Sequence, residues 1–233
     1  MTEPATPSRT ISRAQLATGE IWSINKPAGW TSFDVVNKLR YASRIAKVGH
    51  AGTLDPFATG VLLVCFASAT KQVEQLMALE KEYEGVLELG VETDSHDVTG
   101  KILNTRPVPA LSAQQLEQAL AQYRGTILQK PPMFSALKQG GRRLYQLARA
   151  GQEIELAARP VTIHALELVA YAPPLLTLRL RCSRGTYVRS LARDLGEDLG
   201  CGAHLKSLCR TRVGPYLLAD SVTVAEFIKS LVD

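Results

Sequence analysis

Residues 49–60 read GHAGTLDPFATG, and the apolar run VLLVCFASAT follows at once. Gly49, Gly52, Pro56 and Gly60 bend a chain too sharply for regular structure, so the segment reads as a loop. The apolar run reads as a buried strand in which that loop is rooted. Pro56 biases Asp55 toward extended backbone. A carboxylate is thereby fixed on a loop that leads into the core, as a nucleophile or general base is usually held. The same residues also suit an ordinary Asp-Pro turn, and the loop alone does not choose between the two. It lacks the Gly-Lys-Ser/Thr ending of a Walker loop and the glycine order of a dinucleotide turn.

Around this loop the chain alternates short strands and helices. Residues 21–25 read as a strand, ended by the turn Lys26-Pro27-Ala28-Gly29. Ser32 suits the N-cap of a helix from Phe33 to about Tyr41, with Val35, Val36 and Leu39 on one face. A short helix is expected over 71–79. The clearest strand covers 81–91, with Tyr83, Gly85, Leu87, Leu89 and Val91 on one face and Glu82, Glu84 and Glu88 on the other. Ser112 with Gln115 forms a capping box for a helix ending near Tyr123. A basic helix is expected over 142–150, strands over 161–169 and 175–182, and a helix over 187–199. Thr223 with Glu226 caps a last helix to Leu231. Strict strand–helix alternation is missing, so the pattern predicts an α+β fold around a mostly antiparallel sheet.

At 233 residues the chain can bury a full core, as one large domain or two small ones. No apolar run reaches membrane-spanning length, and no charged-then-apolar signal opens the chain, which points to a cytoplasmic protein. The opening residues are polar and Pro-rich and read as a flexible tail, placed at 1–20. Cys65, Cys182, Cys201 and Cys209 show no C-x-x-C spacing, which argues against zinc and fits buried thiols in a reducing compartment. The net charge of +5 permits an anionic partner without proving one.

Six blocks, in order, carry a resemblance. They are INKPAGWTS from Ile24, the 49–60 loop, KEYEGVLELGVETDSHDVTG from Lys81, QKPPMFSALKQGGRRLYQLARAG from Gln129, CSRGTYVRSLARDLG from Cys182 and GAHLKSLCRTRVG from Gly202. Together they resemble the TruB family of tRNA pseudouridine synthases. The resemblance implies the pseudouridine synthase fold, a long mixed sheet flanked by helices. It implies a catalytic domain over 21–233, without the C-terminal RNA-binding PUA domain of many members. It also implies a monomer that acts on the T arm of tRNA, with no membrane association. The expected reaction is isomerisation of the T-loop uridine to pseudouridine. No electrons or groups enter or leave in that reaction, so no cofactor is expected, and no metal.

By the same resemblance Asp55 is the nucleophile, attacking either the ribose C1′ or the uracil C6. Arg189, in GTYVR, matches the arginine that pairs with this carboxylate and keeps it ionised. Tyr83 matches the tyrosine lying against the target base. His50, Tyr187 and Leu208 match positions around the extruded nucleotide. On periodicity alone Tyr83, Tyr187 and Leu208 read equally well as core residues, Arg189 as a helical surface arginine, and His50 as a neutral structural histidine. Asp94, His96 and Asp97 read as a turn with self-capping aspartates rather than a metal site. Arg44, Lys47, Lys71, Arg142, Arg143, Arg149, Lys206, Arg210 and Arg212 are candidate phosphate contacts. Two other functions fit parts of the pattern. One is a non-catalytic tRNA-binding or folding factor, and the other is a nucleoside hydrolase or glycosidase.

Overall fold

A computed structural model describes residues 10–134, 138–139, 142–143 and 156–233. The chain forms two compact units. One is Met1–Glu82 with Cys209–Asp233, and the other is Tyr83–Leu208. The strands Lys81–Leu89 and Ala203–Val213 each contribute residues to both.

The first unit is built on the apolar run. Thr59–Phe66 is a strand buried from Gly60 to Phe66. Its alternation divides two cores. Leu62, Val64 and Phe66 face Leu16, Trp22, Ile24, Val35, Leu39 and Phe227. Val61, Leu63 and Cys65 face Ala51, Ala69, Leu76 and Val213. A strand covered on both faces reads as continuous apolar sequence, which is the pattern seen. Along one edge it pairs antiparallel with Ile21–Lys26, from Ile21↔Cys65 to Lys26↔Gly60. The other edge is shared. Val48–Ala51 pairs antiparallel with it between Val48↔Phe66 and Ala51↔Leu63. Ala203–Val213 takes over in parallel at Cys209↔Thr59 and Arg210↔Gly60. The hairpin therefore opens beyond Leu63, and residues 52–58 are released from the sheet.

Helices cover both faces. Ser32–Ser43 starts one residue earlier than expected, because Thr31 is the cap: its hydroxyl accepts from Asp34 N–H, and Asp34 closes the capping box. Val224–Ser230 carries the expected Thr223–Glu226 box. Its Phe227 ring meets Trp22 edge-on at 4.8 Å and stacks on Phe66 at 5.4 Å. The tail boundary at residue 20 needs correction. Ile11–Ser12 pairs in parallel with Leu231–Val232, and Arg13–Gly19 is a helix with a Ser12–Gln15 capping box and a fully buried Leu16. Residues 1–9 lie outside the described residues.

In the second unit the sheet order is Ala203–Val213, Lys81–Leu89, Leu175–Cys182, Arg159–Ala172, Gly125–Gln129. Lys81–Leu89 alternates as expected, with Tyr83, Leu87 and Leu89 buried, while Val91–Thr93 forms a separate hairpin with Ile102–Thr105. Helix Val188–Asp198 buries Val188, Leu191, Ala192 and Leu195 at helical spacing. Gly196 is required where this helix meets the next turn, since a Cβ there would sit 2.3 Å from the Ala203 amide nitrogen. The basic helix expected from Arg142 begins instead as strand, Arg142–Arg143 pairing with Lys138–Gln139, and the remainder of that stretch lies outside the described residues. The fold is α+β, a mixed sheet flanked by helices.

Candidate active site

The loop bearing Asp55 is shorter than its sequence suggested, because Val48–Ala51 and Thr59–Phe66 are both strand. What remains, 52–58, is held through its carbonyl groups. Arg210 donates from Nη2 to Gly52 O (3.1 Å), from Nη1 to Thr53 O (3.5 Å) and from Nε to Val61 O (2.7 Å). Ser32 Oγ donates to Leu54 O (3.2 Å) and accepts from Leu54 N–H (2.9 Å). Asp55 O accepts from Ala58 N–H (3.1 Å), and Pro56 O from Gly29 N–H (2.8 Å) and Lys26 Nζ (3.1 Å). Every carbonyl from Gly52 to Pro56 is thus engaged, so the backbone under Asp55 is fixed without regular structure.

Two buried cations do most of this work. Lys26 ends a strand on which Trp22, Ile24 and Lys26 share the buried face, and its Nζ also donates to Pro27 O (2.8 Å) and Trp30 O (2.6 Å). Burial pushes its amine down to about 8. The negative charge of Asp55 opposes that shift, Arg210 adds to it, and Asp34 opposes it. Arg210 is 1% exposed and spends its donors on the loop, so it is not a phosphate contact as the sequence had suggested. Gly60 admits the approach: at φ +102° it lies against Arg210, whose backbone oxygen would be 2.2 Å from an added Cβ.

Asp55 itself is half-buried. His50, on Val48–Ala51, is also half-buried, and burial followed by the Arg210 charge holds its ring below the usual histidine range. The ring is therefore neutral at pH 7. Its Nδ1 is buried without a hydrogen-bond partner among the described residues.

In the second unit Arg189 is buried near the start of Val188–Asp198. It donates from Nη1 to Ser95 O (3.0 Å) and from Nη2 to Phe134 O (2.7 Å), and lies 3.4 Å from Asp97 Oδ2. It is not the surface arginine that periodicity allowed. The 93–100 turn supports it. Asp97 Oδ1 accepts from Ser95 Oγ (2.8 Å), Thr99 N–H (2.9 Å) and Thr99 Oγ1 (2.6 Å), and Asp94 Oδ1 accepts from Lys101 N–H (2.9 Å). These are the self-capping aspartates expected of the turn. Val98 N–H and Leu205 N–H tie the turn to Ala203–Val213.

Tyr187 is clamped at both backbone groups by the buried Gln129: Tyr187 N–H donates to Oε1 (2.8 Å) and Tyr187 O accepts from Nε2 (3.0 Å). Tyr83 and Leu208 are nearly buried. Gly85, two residues from Tyr83 on the same face, is within 3.5 Å of Leu208 Cδ1 when given a Cβ.

Asp55 and His50 thus belong to the first unit, and Tyr83, Tyr187, Arg189 and Leu208 to the second. Sequence reasoning missed Lys26 and Ser32 as loop anchors and Asp97 as a partner of Arg189. A signal existed for Lys26, whose register with Trp22 and Ile24 puts it on the inner face. Of the other basic candidates, Lys206 pairs with Glu88 (2.8 Å) and Arg212 with Glu82 (3.2 Å), while Arg44 and Lys47 are exposed. Arg149 and the side chains of Arg142 and Arg143 lie outside the described residues. Among the described residues no group of three or more His, Cys, Asp or Glu could hold a metal ion, and no helix is long and apolar enough to cross a membrane.

Solved structures share this architecture. The chain matches one in a Cbf5-Nop10-Gar1 complex with TM-score 0.73 and 26% identity, covering 97% of this chain and 60% of that one. It matches another in an archaeal box H/ACA sRNP Nop10-Cbf5 complex with TM-score 0.68 and 25% identity, covering 92% and 54%. It therefore spans less than two thirds of either solved chain. The class is an enzyme of the pseudouridine synthase fold.

Two family models cover most of the sequence: the TruB family pseudouridylate synthase N-terminal domain over 40–188, and the tRNA pseudouridylate synthase B C-terminal domain over 189–232. The tRNA pseudouridine synthase B of Pseudomonas paraeruginosa is 46% identical over 214 residues, 92% of this chain and 70% of that protein. That of Francisella tularensis subsp. novicida is 48% identical over 199 residues, 85% and 66%. That of Phocaeicola vulgatus is 46% identical over 215 residues, 90% and 92%. The chain belongs to the TruB family of pseudouridylate synthases.

Proposed function

We propose that this enzyme converts the T-loop uridine of tRNA to pseudouridine, with Asp55 as nucleophile. The supporting observation is the complete anchoring of the Gly52–Pro56 carbonyls, which fixes the base of one carboxylate. Its relatives are named for action on tRNA. In the reaction the N1–C1′ bond breaks and a C5–C1′ bond forms. The C5 proton leaves and N1 takes one up, so atoms and electrons balance without a co-reactant. The carboxylate adds to C1′ or to C6 and is released again. Arg189 pairs with it, Tyr83 lies against the base and moves the proton, and His50, Tyr187 and Leu208 line the pocket. Extruding the uridine costs a few kcal/mol, and apolar and aromatic faces such as these recover part of it. The chain acts as a monomer, in the cytoplasm, on the T arm.

Unmodified tRNA incubated with the enzyme and digested to nucleosides tests this reading. The expected product is one C-glycoside from the T loop with tRNA mass unchanged. Free uracil with an abasic site would instead indicate a glycosidase, and unaltered tRNA a binding factor.

A further inference from the structure

The first unit has a pocket of about 510 Å³ whose walls include Arg13, Arg40, Tyr41, Arg44 and Ile45 and no residue of the 52–58 loop. Three arginines line it, and among the described residues its lining holds no carboxylate, although Arg13 pairs with Asp233. Arg40 and Arg44 are one helical turn apart at the end of Ser32–Ser43 and so share a face. Arg44 is the left-handed cap at φ 60°, with its side chain exposed. Arg40 donates to Asn37 Oδ1 (3.2 Å) and Val48 O (3.3 Å), while its Nε is buried without a hydrogen-bond partner among the described residues. Arg13 pairs with Asp233, and its Nε is likewise buried and without a hydrogen-bond partner among the described residues. Tyr41 is 86% exposed.

Both walls are rooted. Ile45 packs on the same core cluster that holds Ile11, Leu16, Leu39 and Val48. Complementing the helix C-terminus accounts in part for Arg40 and Arg44. Arg13, in the first turn of another helix, is held there by its pair with Asp233. Neither the helix C-terminus nor that ion pair accounts for the exposed Tyr41 ring that lines the same pocket as Arg40 and Arg44. Arginines that line one pocket fit phosphate oxygens, which accept several N–H donors at once. A solvent-facing ring beside them offers a platform for a base.

We propose that this pocket takes an RNA phosphodiester, with a neighbouring base stacked on Tyr41, as a contact separate from the Asp55 loop. The proposal rests on RNA being the substrate. A free mononucleotide has the same chemistry but needs a site that encloses most of it, whereas the Tyr41 ring is open to a passing strand.

Tyr41→Ser and Arg44→Asn in the full chain test it, with binding of unmodified tRNA measured across a salt series. Both positions are exposed, and Asn tolerates the left-handed backbone, so the fold is kept. Tyr41→Ser is expected to weaken binding about five-fold or more. Arg44→Asn is expected to make the slope of log Kd against log salt shallower by about one. Wild-type affinity and slope in both variants would overturn the proposal. So would adenosine monophosphate binding to the wild type and not to Arg44→Asn without displacing tRNA, which would assign the pocket to a free nucleotide. Because the readout is binding, a wild type that makes no pseudouridine would sink the functional reading and leave this one to its own data.

Discussion

Arg189 and Asp97 form a buried ion pair, Nη1 to Oδ2 at 3.4 Å, with side chains 4% and 5% exposed. The other oxygen of Asp97 is filled by Ser95 and Thr99, and the guanidinium also holds the Ser95 and Phe134 carbonyls. Asp97→Ala removes one buried carboxylate from beside that guanidinium and takes the shared acceptor from Ser95 and Thr99. The expected cost is roughly 3–5 kcal/mol, read by urea unfolding. Arg189→Lys keeps the charge but loses the planar fork that spans Ser95 O and Phe134 O. A large fall in kcat with a smaller loss of stability is expected. Near-normal turnover would show that the fork's geometry is not needed.

Lys26→Met removes three donors from the Pro27, Trp30 and Pro56 carbonyls. The expected destabilisation is roughly 2 kcal/mol or more, from buried acceptors left without partners. The pH dependence has a definite sign. The folded amine titrates at about 8 against an ordinary 10.5, so between those values the unfolded chain binds more protons. Stability relative to Lys26→Met therefore rises from pH 8 to 10.5 and is lost as pH falls through 8. A difference that stays flat over this range would mean that the amine is not desolvated.

His96 gives the acid-side counterpart. Burial first, then the charges of Arg193 and Arg189, lower its ring from 6.5 to about 4, against the opposing effects of Thr93 and Asp97. Below pH 6.5 the unfolded chain takes up a proton that the folded chain refuses until about pH 4. Stability present above 6.5 is lost across that window. His96→Asn suits the left-handed backbone at φ 59° and should remove this part of the acid sensitivity. Equal acid profiles for the two proteins would contradict the assignment.

Elements whose signal is local were legible in the sequence. The alternation of Lys81–Leu89 and the capping boxes at Ser112 and Thr223 appear where expected, because each depends on residues within one or two turns. The cap before Phe33 moved to Thr31 because Asp34 is the reciprocal partner. Ala203–Val213 escaped notice because a buried Arg210 breaks its apolar alternation. Val48–Ala51 is defined only by its partner strand, and its glycine and histidine read as loop. The nature of the Asp55 loop was visible in its glycines. Its anchors were not, since Lys26, Ser32 and Arg210 are joined to it by tertiary approach that no spacing encodes.

Asp55 bears most directly on the proposed chemistry. Asp55→Asn keeps size and shape while removing the charge needed to add to the nucleotide. The measurement is pseudouridine per T loop after prolonged incubation with unmodified tRNA, alongside tRNA affinity. The expected result is full conversion by the wild type and none by Asp55→Asn, at unchanged affinity. Pseudouridine formed by Asp55→Asn would contradict the assignment of Asp55 as nucleophile.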